Sequence, residues 1–116
     1  MPSFANEYLY YVLEQLDGVG EVIPRRMFSG YGLYLDGLFC AIIASGVLYF
    51  KVDDTNRGDY EVRGMRQFKP LHYYEVPVEV LEDHDQLHVW IRKAQAVAAR
   101  KAEKTPKKHR KRPASG

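Results

Sequence analysis

The sequence predicts an α+β fold in two layers, with an N-terminal helix, an antiparallel meander of four to five strands, and C-terminal helices. Two-residue turn signals, Asp36-Gly37 and Ser45-Gly46, separate short apolar runs. Connections that short force the neighbouring strands to be antiparallel. Before and after these runs, apolar residues recur every three or four positions, as in helices that pack one face on a sheet. With 116 residues, 46% of them hydrophobic, the chain has room for one such domain.

The first helix is predicted over residues 4–17. Ser3 is a suitable N-cap, and Gly18 and Gly20 follow the last turn, as expected at a helix C-terminus. The apolar stripe that supports this helix consists of Phe4, Tyr8, Leu9, Val12, Leu13 and Leu16.

Four strands are predicted next, over residues 22–27, 31–35, 38–44 and 47–52. Pro24 suits an edge strand or a strand start, because proline cannot donate a hydrogen bond to a neighbouring strand. The third strand is apolar on both faces. We therefore expect helices on one face of the sheet and a further cover, such as a second copy of the protein, on the other.

The C-terminal part alternates short and long elements. We predict a short helix over 55–63, a strand over 71–76, a helical turn over 78–82, and a long helix capped by Asp83 or Asp85. The buried stripe of the long helix is Leu87, Trp90, Ile91, Ala94, Val97 and Ala98. Residues 1–103 are thus predicted to form one domain. Residues 104–116, which lack large apolar side chains, are predicted to be a disordered basic tail.

The formal net charge of +2 averages two unlike parts. Residues 1–91 hold 7 Lys/Arg and 14 Asp/Glu, whereas residues 92–116 hold 10 Lys/Arg and one Glu. A flexible cationic segment binds phosphate backbones without reading bases. The tail residues that would make such contacts are Lys104, Lys107, Lys108, Arg110, Lys111 and Arg112; a solubilising tail with no partner is the alternative.

Several protein classes do not fit the sequence. A single cysteine, Cys40, cannot form an internal disulfide. The N-terminus has no basic segment followed by an apolar one, as a signal peptide would. The longest apolar run, 38–44, is far shorter than the roughly 20 residues that span a bilayer. We expect a cytoplasmic protein with no membrane partner.

No set of residues predicts catalysis or a cofactor. His84 and His88 are four residues apart, but no third ligand is placed to complete a metal site. Cys40 is expected to be a buried small hydrophobe. The acids Glu79, Glu82, Asp83 and Asp85 are interpreted as a solvated helix junction with caps. We therefore expect no catalytic residue, no cofactor, no metal and no small-molecule substrate.

Two other features have competing interpretations. Arg25 and Arg26 are expected to pair with an acid such as Asp36 or Asp53, in preference to binding an anion, because residues 1–91 are acidic overall. Nine tyrosines exceed what a small core needs. Tyrosine is enriched at interfaces because its ring is apolar and its hydroxyl is polar. This favours a binding surface or a dimer over a catalytic pocket, with partly buried core tyrosines as the alternative.

The segment from Arg26 to Gly37 resembles the signature of the TfoX/Sxy family N-terminal domain, a bacterial competence-regulator domain. The resemblance continues through residues 39–53, 73–77 and 87–90. It implies an α/β fold with a curved antiparallel sheet and a role linked to natural competence and DNA uptake. Full-length regulators of the family usually carry a second, helical domain, so this chain resembles a stand-alone form. The motif residues, interpreted as structural, are Arg26, Met27, Phe28, Gly30, Gly32, Tyr34, Asp36 and Gly37.

The glycines of this signature do not form a phosphate-binding loop. Such a loop needs a following Lys-Ser/Thr pair at a helix N-terminus, and here a predicted strand follows instead. Gly30, Gly32 and Gly37 are therefore interpreted as turn and bulge glycines.

Three functional hypotheses follow. The leading one is a small regulatory module that acts through protein contacts of its sheet face and tyrosine-rich surface, with another protein or as a homodimer. The second is a nucleic-acid-binding accessory protein in which the basic tail is the functional part. The third, with the least support, is an enzyme with a site near Arg26 and the acids of residues 79–85.

Overall fold

The computed structural model describes residues 4–27 and 29–104. These residues form four helices and five strands, which confirms the predicted α+β class. The helices are α1 (Phe4–Gln15), α2 (Arg57–Glu61), α3 (Val78–Leu81) and α4 (His84–Lys104), and the strands are β1 (Val22–Met27), β2 (Gly30–Leu35), β3 (Leu38–Ala44), β4 (Val47–Lys51) and β5 (Tyr73–Glu75).

The five strands form one sheet in the order β1-β2-β3-β4-β5, and every neighbouring pair is antiparallel. The turns after β2 and β3 have positive φ at both central residues: 49° at Asp36 and 86° at Gly37, then 52° at Ser45 and 71° at Gly46. This is the type I′ pattern, whose twist matches that of the flanking strands. The two turn signals in the sequence therefore do form tight hairpins.

An irregularity in β3 directs Cys40 into the core. Leu33 pairs with Ala41, whereas Tyr34 pairs with Phe39, so Cys40 is an extra residue with no partner of its own. A bulge of this kind bends the strand and changes which face a side chain takes. The Cys40 side chain is fully buried in the main hydrophobic cluster.

The helices cover one face of the sheet, which we call the helix face. Helix α4 packs across β3 and β4. The core joins side chains from each helix to this face, among them Leu9, Val12, Leu33, Phe50, Tyr60, Val80, Leu87 and Ile91. The opposite face, which we call the open face, is partly covered by the chain itself: the Phe68 ring lies 4.8 Å from that of Tyr49. The cover expected from a second copy is thus supplied in part by the segment before β5.

Polar contacts fix α4 to the rest of the domain. The Arg92 guanidinium donates hydrogen bonds to the Val19 carbonyl and, at 3.2 Å, to the Asp36 carboxylate. Nε2 of Gln95 donates to the Leu35 carbonyl at 3.1 Å. Near the C-terminal end, Arg100 contacts Asp53 at 3.0 Å. These contacts fasten the helix to one end of the sheet, where β1 begins and where β2 and β4 end.

Element ends differ from the predicted ones where side chains bond to the backbone. Helix α2 begins at Arg57, not at residue 55, because the Asp53 carboxylate accepts hydrogen bonds from both the amide and the hydroxyl of Thr55. Strand β5 is shorter than predicted, because the Leu71 carbonyl accepts a hydrogen bond from the Gln67 side chain within a turn. Helix α1 ends at Gln15 and α4 includes Lys104.

Candidate functional site

The motif glycines of β2 allow close approach of neighbouring groups. A Cβ at Gly30 would lie 1.9 Å from the carbonyl oxygen of Ile43 on β3. A Cβ at Gly32 would lie 2.7 Å from a ring atom of Phe39 and 2.9 Å from the Met27 methyl group. The prediction that Gly30 and Gly32 are turn or bulge glycines is therefore wrong, and only Gly37 of the three lies in a turn.

The predicted ion pairs of Arg25 and Arg26 are also wrong. The Arg25 guanidinium lies 5.6 Å from the centre of the Tyr34 ring, and that of Arg26 lies 5.7 Å from the Tyr31 ring. Asp36 and Asp53 pair instead with arginines of α4. Both residues of this arginine pair therefore contribute cation–π contacts.

Asp36 of the motif has a structural role. Its carboxylate accepts a hydrogen bond from the backbone N–H of Glu21 at 2.9 Å, and the Arg92 guanidinium donates a second one. The backbone hydrogen bond and, after it, the hydrogen bond from Arg92 lower the pKa of Asp36 below its ordinary value. The carboxylate thus ties the β2–β3 hairpin to the segment before β1 and to α4.

Five side chains form a row across the open face, which we call the aromatic row. It takes one residue from each strand, in strand order: Arg25, Tyr34, Phe39, Lys51 and Tyr73. The rings of Tyr34 and Phe39 stack with centroids 5.1 Å apart, and the Phe39 and Tyr73 centroids are 5.9 Å apart. Nζ of Lys51 lies 4.9 Å from the Tyr73 ring centre and donates a hydrogen bond to the Tyr73 hydroxyl at 3.1 Å.

A second surface lies between α1 and the strand ends beside α3. It is a groove of about 500 Å³, which we call the tyrosine groove, and its lining includes Tyr8, Tyr11, Leu48, Glu75, Val78 and Glu82. The Tyr8 and Tyr11 rings are 6.2 Å apart. Burial, and then the neighbouring Tyr11, raise the pKa of Tyr8. Val78 is 61% exposed at one side, so the groove presents apolar surface to the solvent.

The tyrosines divide between the two interpretations that the sequence left open. Three are buried in the described residues: Tyr31, Tyr60 and Tyr73. Tyr10 is 64% exposed on α1, while Tyr8, Tyr11 and Tyr34 are half-buried at the two surfaces just described. Core packing accounts for some of these residues, and the others give the surface its aromatic character.

Most of the groups considered for catalysis or metal binding are buried or bonded to the backbone, whereas Nε2 of His88 is buried without a hydrogen-bond partner among the described residues. Burial raises the pKa of the Cys40 thiol to about 12, which agrees with the predicted role of a buried hydrophobe. Nε2 of His84 lies 3.0 Å from the Asp17 carbonyl, and the His84 and His88 rings are 4.1 Å apart. In residues 4–27 and 29–104, no three His, Cys, Asp or Glu side chains are arranged to hold a metal ion.

The acidic cluster consists of separate contacts. The Asp83 carboxylate accepts a hydrogen bond from the Gln86 backbone N–H and so caps α4, as one of the two predicted caps. The hydrogen bond from the Gln86 side-chain amide and, after it, the one from the Gln86 backbone N–H lower the pKa of Asp83. Glu79 pairs with Arg63 at 3.4 Å, and Glu82 lines the tyrosine groove.

The predicted nucleic-acid contacts fall almost entirely outside the described residues. Lys104 is the last residue of α4, whereas Lys107, Lys108, Arg110, Lys111 and Arg112 lie beyond the part of the chain that the structure describes. The motif residue Phe28 also lies outside it. Tail binding therefore stays a prediction. Across the described residues, none of the helices combines the length and the apolar character needed to cross a bilayer.

Comparison with known proteins assigns most of the domain to one family. The family model described as TfoX N-terminal domain matches residues 14–98, from the last two residues of α1 to the sixth residue before the end of α4. The match includes the whole sheet, the aromatic row and the β4, β5 and α3 side of the tyrosine groove, whereas Tyr8 and Tyr11 lie outside it. No curated protein matches the chain.

Proposed function

Since the chain belongs to the TfoX N-terminal domain family, we propose that it is a small regulatory module that acts by binding a protein partner in its tyrosine groove. The family makes a competence-regulator-like module the natural context. The observation that carries it is the exposed apolar and aromatic lining of the groove beside Val78.

The groove has the composition of a protein interface. Such interfaces combine an apolar centre, rich in tyrosine, with a polar rim. Here Tyr8, Tyr11 and Leu48 supply the centre, and the rim carries Glu75 and Glu82. A tyrosine ring offers a large contact area and few rotatable bonds, so little conformational entropy is lost when it binds.

The charge around the groove indicates the chemistry of the partner. Neither Glu75 nor Glu82 forms an ion pair among the described residues. Helix α1 carries Glu7 and Glu14, and the first 24 residues contain no Lys or Arg. We therefore propose a partner segment with an apolar side chain for the groove and Lys or Arg residues beside it.

We also propose that the domain acts by binding a partner and not by catalysing a reaction. The thiol of Cys40 is buried and its pKa is raised, which makes it a weak nucleophile. Of the carboxylates of residues 79–85, Asp83 caps α4, Glu79 pairs with Arg63, Glu82 lies at the groove rim and Asp85 lies beside His84. These contacts support a contact surface as the working part of the domain.

The test compares two equally simple surface changes. Val78→Arg places a cation at the groove, where we expect it to repel a basic partner. Val89→Arg places the same charge at a similarly exposed position of α4, 54% exposed, away from the groove. In a pull-down from host lysate, the wild type and Val89→Arg should capture a common protein that Val78→Arg loses. Equal capture by all three chains would contradict the proposal.

Sedimentation separates a different protein from a second copy. If the purified wild type is a dimer that Val78→Arg converts to a monomer, the partner segment belongs to the chain itself. If the wild type is a monomer, the captured protein is tested directly, and its affinity should fall with rising salt because the rim is acidic. A monomer that captures nothing would overturn the proposal.

The regulatory context has its own measurement. In a host strain that lacks the gene, wild-type protein should restore transformation frequency and the transcripts of DNA-uptake genes. Val78→Arg at the same protein level should fail to do so, and Val89→Arg should succeed. If Val78→Arg restores transformation fully, the groove is not the regulatory surface, whatever it binds.

A further inference from the structure

The aromatic row is a surface separate from the tyrosine groove. Adjacent strands are about 4.8 Å apart, so a row that crosses five strands extends over roughly 19 Å. Its order is cation, ring, ring, cation, ring: Arg25, Tyr34, Phe39, Lys51 and Tyr73. The strand register brings these side chains side by side, because Tyr34 on β2 pairs with Phe39 on β3 and Lys51 on β4 pairs with Tyr73 on β5.

The open face differs in charge from the rest of residues 1–91. The strand pairing places three charged residues of the five strands on this face: Arg25, Lys51 and Glu75. Glu75 lies beside Tyr49, two residues along β5 from the row. The row itself therefore carries two cations and no acid, on a domain in which acids outnumber bases.

The rings are held in place before any ligand arrives. Gly32 has no side chain, so the Phe39 ring and the Met27 side chain can lie directly over β2. Phe39 stacks on Tyr34, and Lys51 lies 5.7 Å from the centre of its ring. A surface whose side chains are already ordered loses little conformational entropy on binding.

We propose that the aromatic row binds a single-stranded polynucleotide, with bases stacked at Tyr34 and Phe39 and phosphates paired with Arg25 and Lys51. Exposed aromatic rings on an antiparallel sheet stack two or three bases in other nucleic-acid-binding proteins. Stacking requires bases that are not already paired, and every base has a face that can stack. The ligand is therefore single-stranded and its sequence is of little importance.

A second copy of this chain is a poorer occupant of the same surface. In a two-fold dimer the same patch meets itself, so one interface would hold Arg25 and Lys51 of both copies, with no acid in either row to offset them. Like charges brought together in an interface lower its stability. A polyanion has the complementary charge, and its bases match the rings.

The C-terminal end of α4 adds positive charge near Lys51 of the row. Burial and, after it, the positive charge of Lys101 in the last turn of α4 lower the pKa of Lys51. The two ammonium groups therefore repel each other. A phosphate beside Lys51 would offset both effects.

The test measures the preference for single strands in the full chain. Fluorescence anisotropy would give the affinity for a labelled oligothymidylate of about 12 nucleotides and for a duplex of equal length. Tyr34→Leu and Phe39→Leu should each weaken oligothymidylate binding about fivefold or more, the usual effect of losing one stacked base. Duplex binding should stay within twofold, since the tail does not distinguish the two ligands.

Matched controls separate stacking from general damage. Tyr10→Leu removes an exposed ring of α1 and should leave both affinities unchanged. Arg25→Gln, at an exposed position, should weaken single-strand binding more than Arg63→Gln, whose guanidinium lies over Trp90 on the helix side. These changes keep the proposal testable if either leucine variant fails to fold.

A crosslink locates the bound base directly. Trypsin cleavage after Arg26 and Lys51 releases residues 27–51, a peptide that contains both Tyr34 and Phe39. Oligothymidylate with a photoreactive base should crosslink to this peptide. Crosslinks confined to other peptides, equal wild-type affinity for single strand and duplex, or ring variants that dissociate a dimer without changing single-strand affinity would each overturn the proposal. Failure of the groove experiments would leave these results unaffected.

Discussion

Gly30 and Gly32 show how a missing side chain determines the shape of this sheet. At Gly30 the obstacle to a Cβ is the Ile43 carbonyl of the adjacent strand, whereas at Gly32 it is two side chains that can move. The consequences of adding a methyl group should therefore differ between two glycines that are only two residues apart.

We expect Gly30→Ala to lower the free energy of unfolding by about 3 kcal/mol or more, because β2 and β3 must separate locally. Gly32→Ala should lower it by about 1–2 kcal/mol, since Phe39 and Met27 can shift. Gly58→Ala is the control: nothing lies within 4 Å of its Cβ position, and reduced freedom of the unfolded chain should stabilise it by about 0.5 kcal/mol. Urea unfolding measures all three, and equal losses at Gly30 and Gly32 would contradict this account.

Asp36 should make stability depend on pH. Its folded pKa is lowered by the Glu21 N–H and then by Arg92, so the ionised form is favoured in the folded state. The resulting stability is present above the unfolded pKa of about 3.9 and is lost as pH falls through the lower folded value. Asp36→Asn should have a lower Tm than wild type at pH 7. The difference should shrink below about pH 4, and a constant difference from pH 7 to pH 2.5 would exclude this carboxylate as its source.

Some residues of the two surfaces could be found from the sequence and others could not. A two-residue turn at Asp36-Gly37 fixes the pairing of the next residues outward, so Tyr34 opposite Phe39 follows from the hairpin alone. The pairing of Lys51 with Tyr73 needed the position of β5, which follows a segment of 21 residues. The predicted acid partners of Arg25 and Arg26 were wrong. Asp36 pairs instead with Arg92 of α4, which is 56 residues away in sequence.

Among the elements, those with local signals were predicted best. The hairpins depend on two residues each, and the first residues of α4 are fixed by the Asp83 cap. Boundaries set by side-chain hydrogen bonds to the chain were less predictable, as at α2, where the Asp53 carboxylate bonds to Thr55 and the helix begins at Arg57. The bulge at Cys40 had no sequence signal, because the whole of β3 is apolar and either register places apolar side chains on both faces.

Helix α4 depends on its polar contacts as well as on its buried stripe. Arg92→Met should lower the free energy of unfolding by about 1–2 kcal/mol, because the Val19 carbonyl loses a donor and Asp36 loses its charge partner. Methionine retains the apolar part of the side chain, so the loss reports on the guanidinium.

Arg66→Met is the matched control for this change. Arg66 is exposed, and its side chain makes no hydrogen bond or ion pair among the described residues. Guanidinium chloride would screen the pair, so urea is the denaturant of choice for both variants. Similar losses in both would mean that α4 is held by its apolar face alone.

For the whole molecule, the division of charge in the sequence has a structural explanation. Three of the bases in α4 are paired with acids of the preceding part of the same domain: Arg92 with Asp36, Lys93 with Asp59, and Arg100 with Asp53. These bases are part of the fold. The remaining excess of positive charge begins at Lys101 and continues through the residues after α4.

Duplex DNA binding should therefore depend on the last residues of the chain. If about six phosphates are contacted, log affinity against log salt should have a slope of about −4 to −5. A chain that ends after Glu103 lacks six of these bases, and its slope should approach zero. An unchanged slope would show that the tail is not the electrostatic contact, and no binding at low salt would exclude the duplex as a ligand.

The two-layer arrangement followed from the sequence, but the surfaces of the whole molecule did not. Short turns impose a meander whatever the tertiary contacts are, and apolar stripes indicate which elements must pack together. The groove arises where α1 meets the ends of β4 and β5, which are about 40 and 65 residues away in sequence. A juxtaposition of that kind depends on the packed structure.

Because Cys40 is buried, the rate at which its thiol reacts reports how often the core opens. It is the single thiol in the chain, fully buried beside the β3 bulge, and its pKa of about 12 leaves almost no thiolate at neutral pH. A disulfide reagent can modify it only when the layers separate. Labelling kinetics in native buffer would therefore give the opening free energy of the core without any mutation or denaturant, and would show directly whether a bound partner or oligonucleotide suppresses that opening.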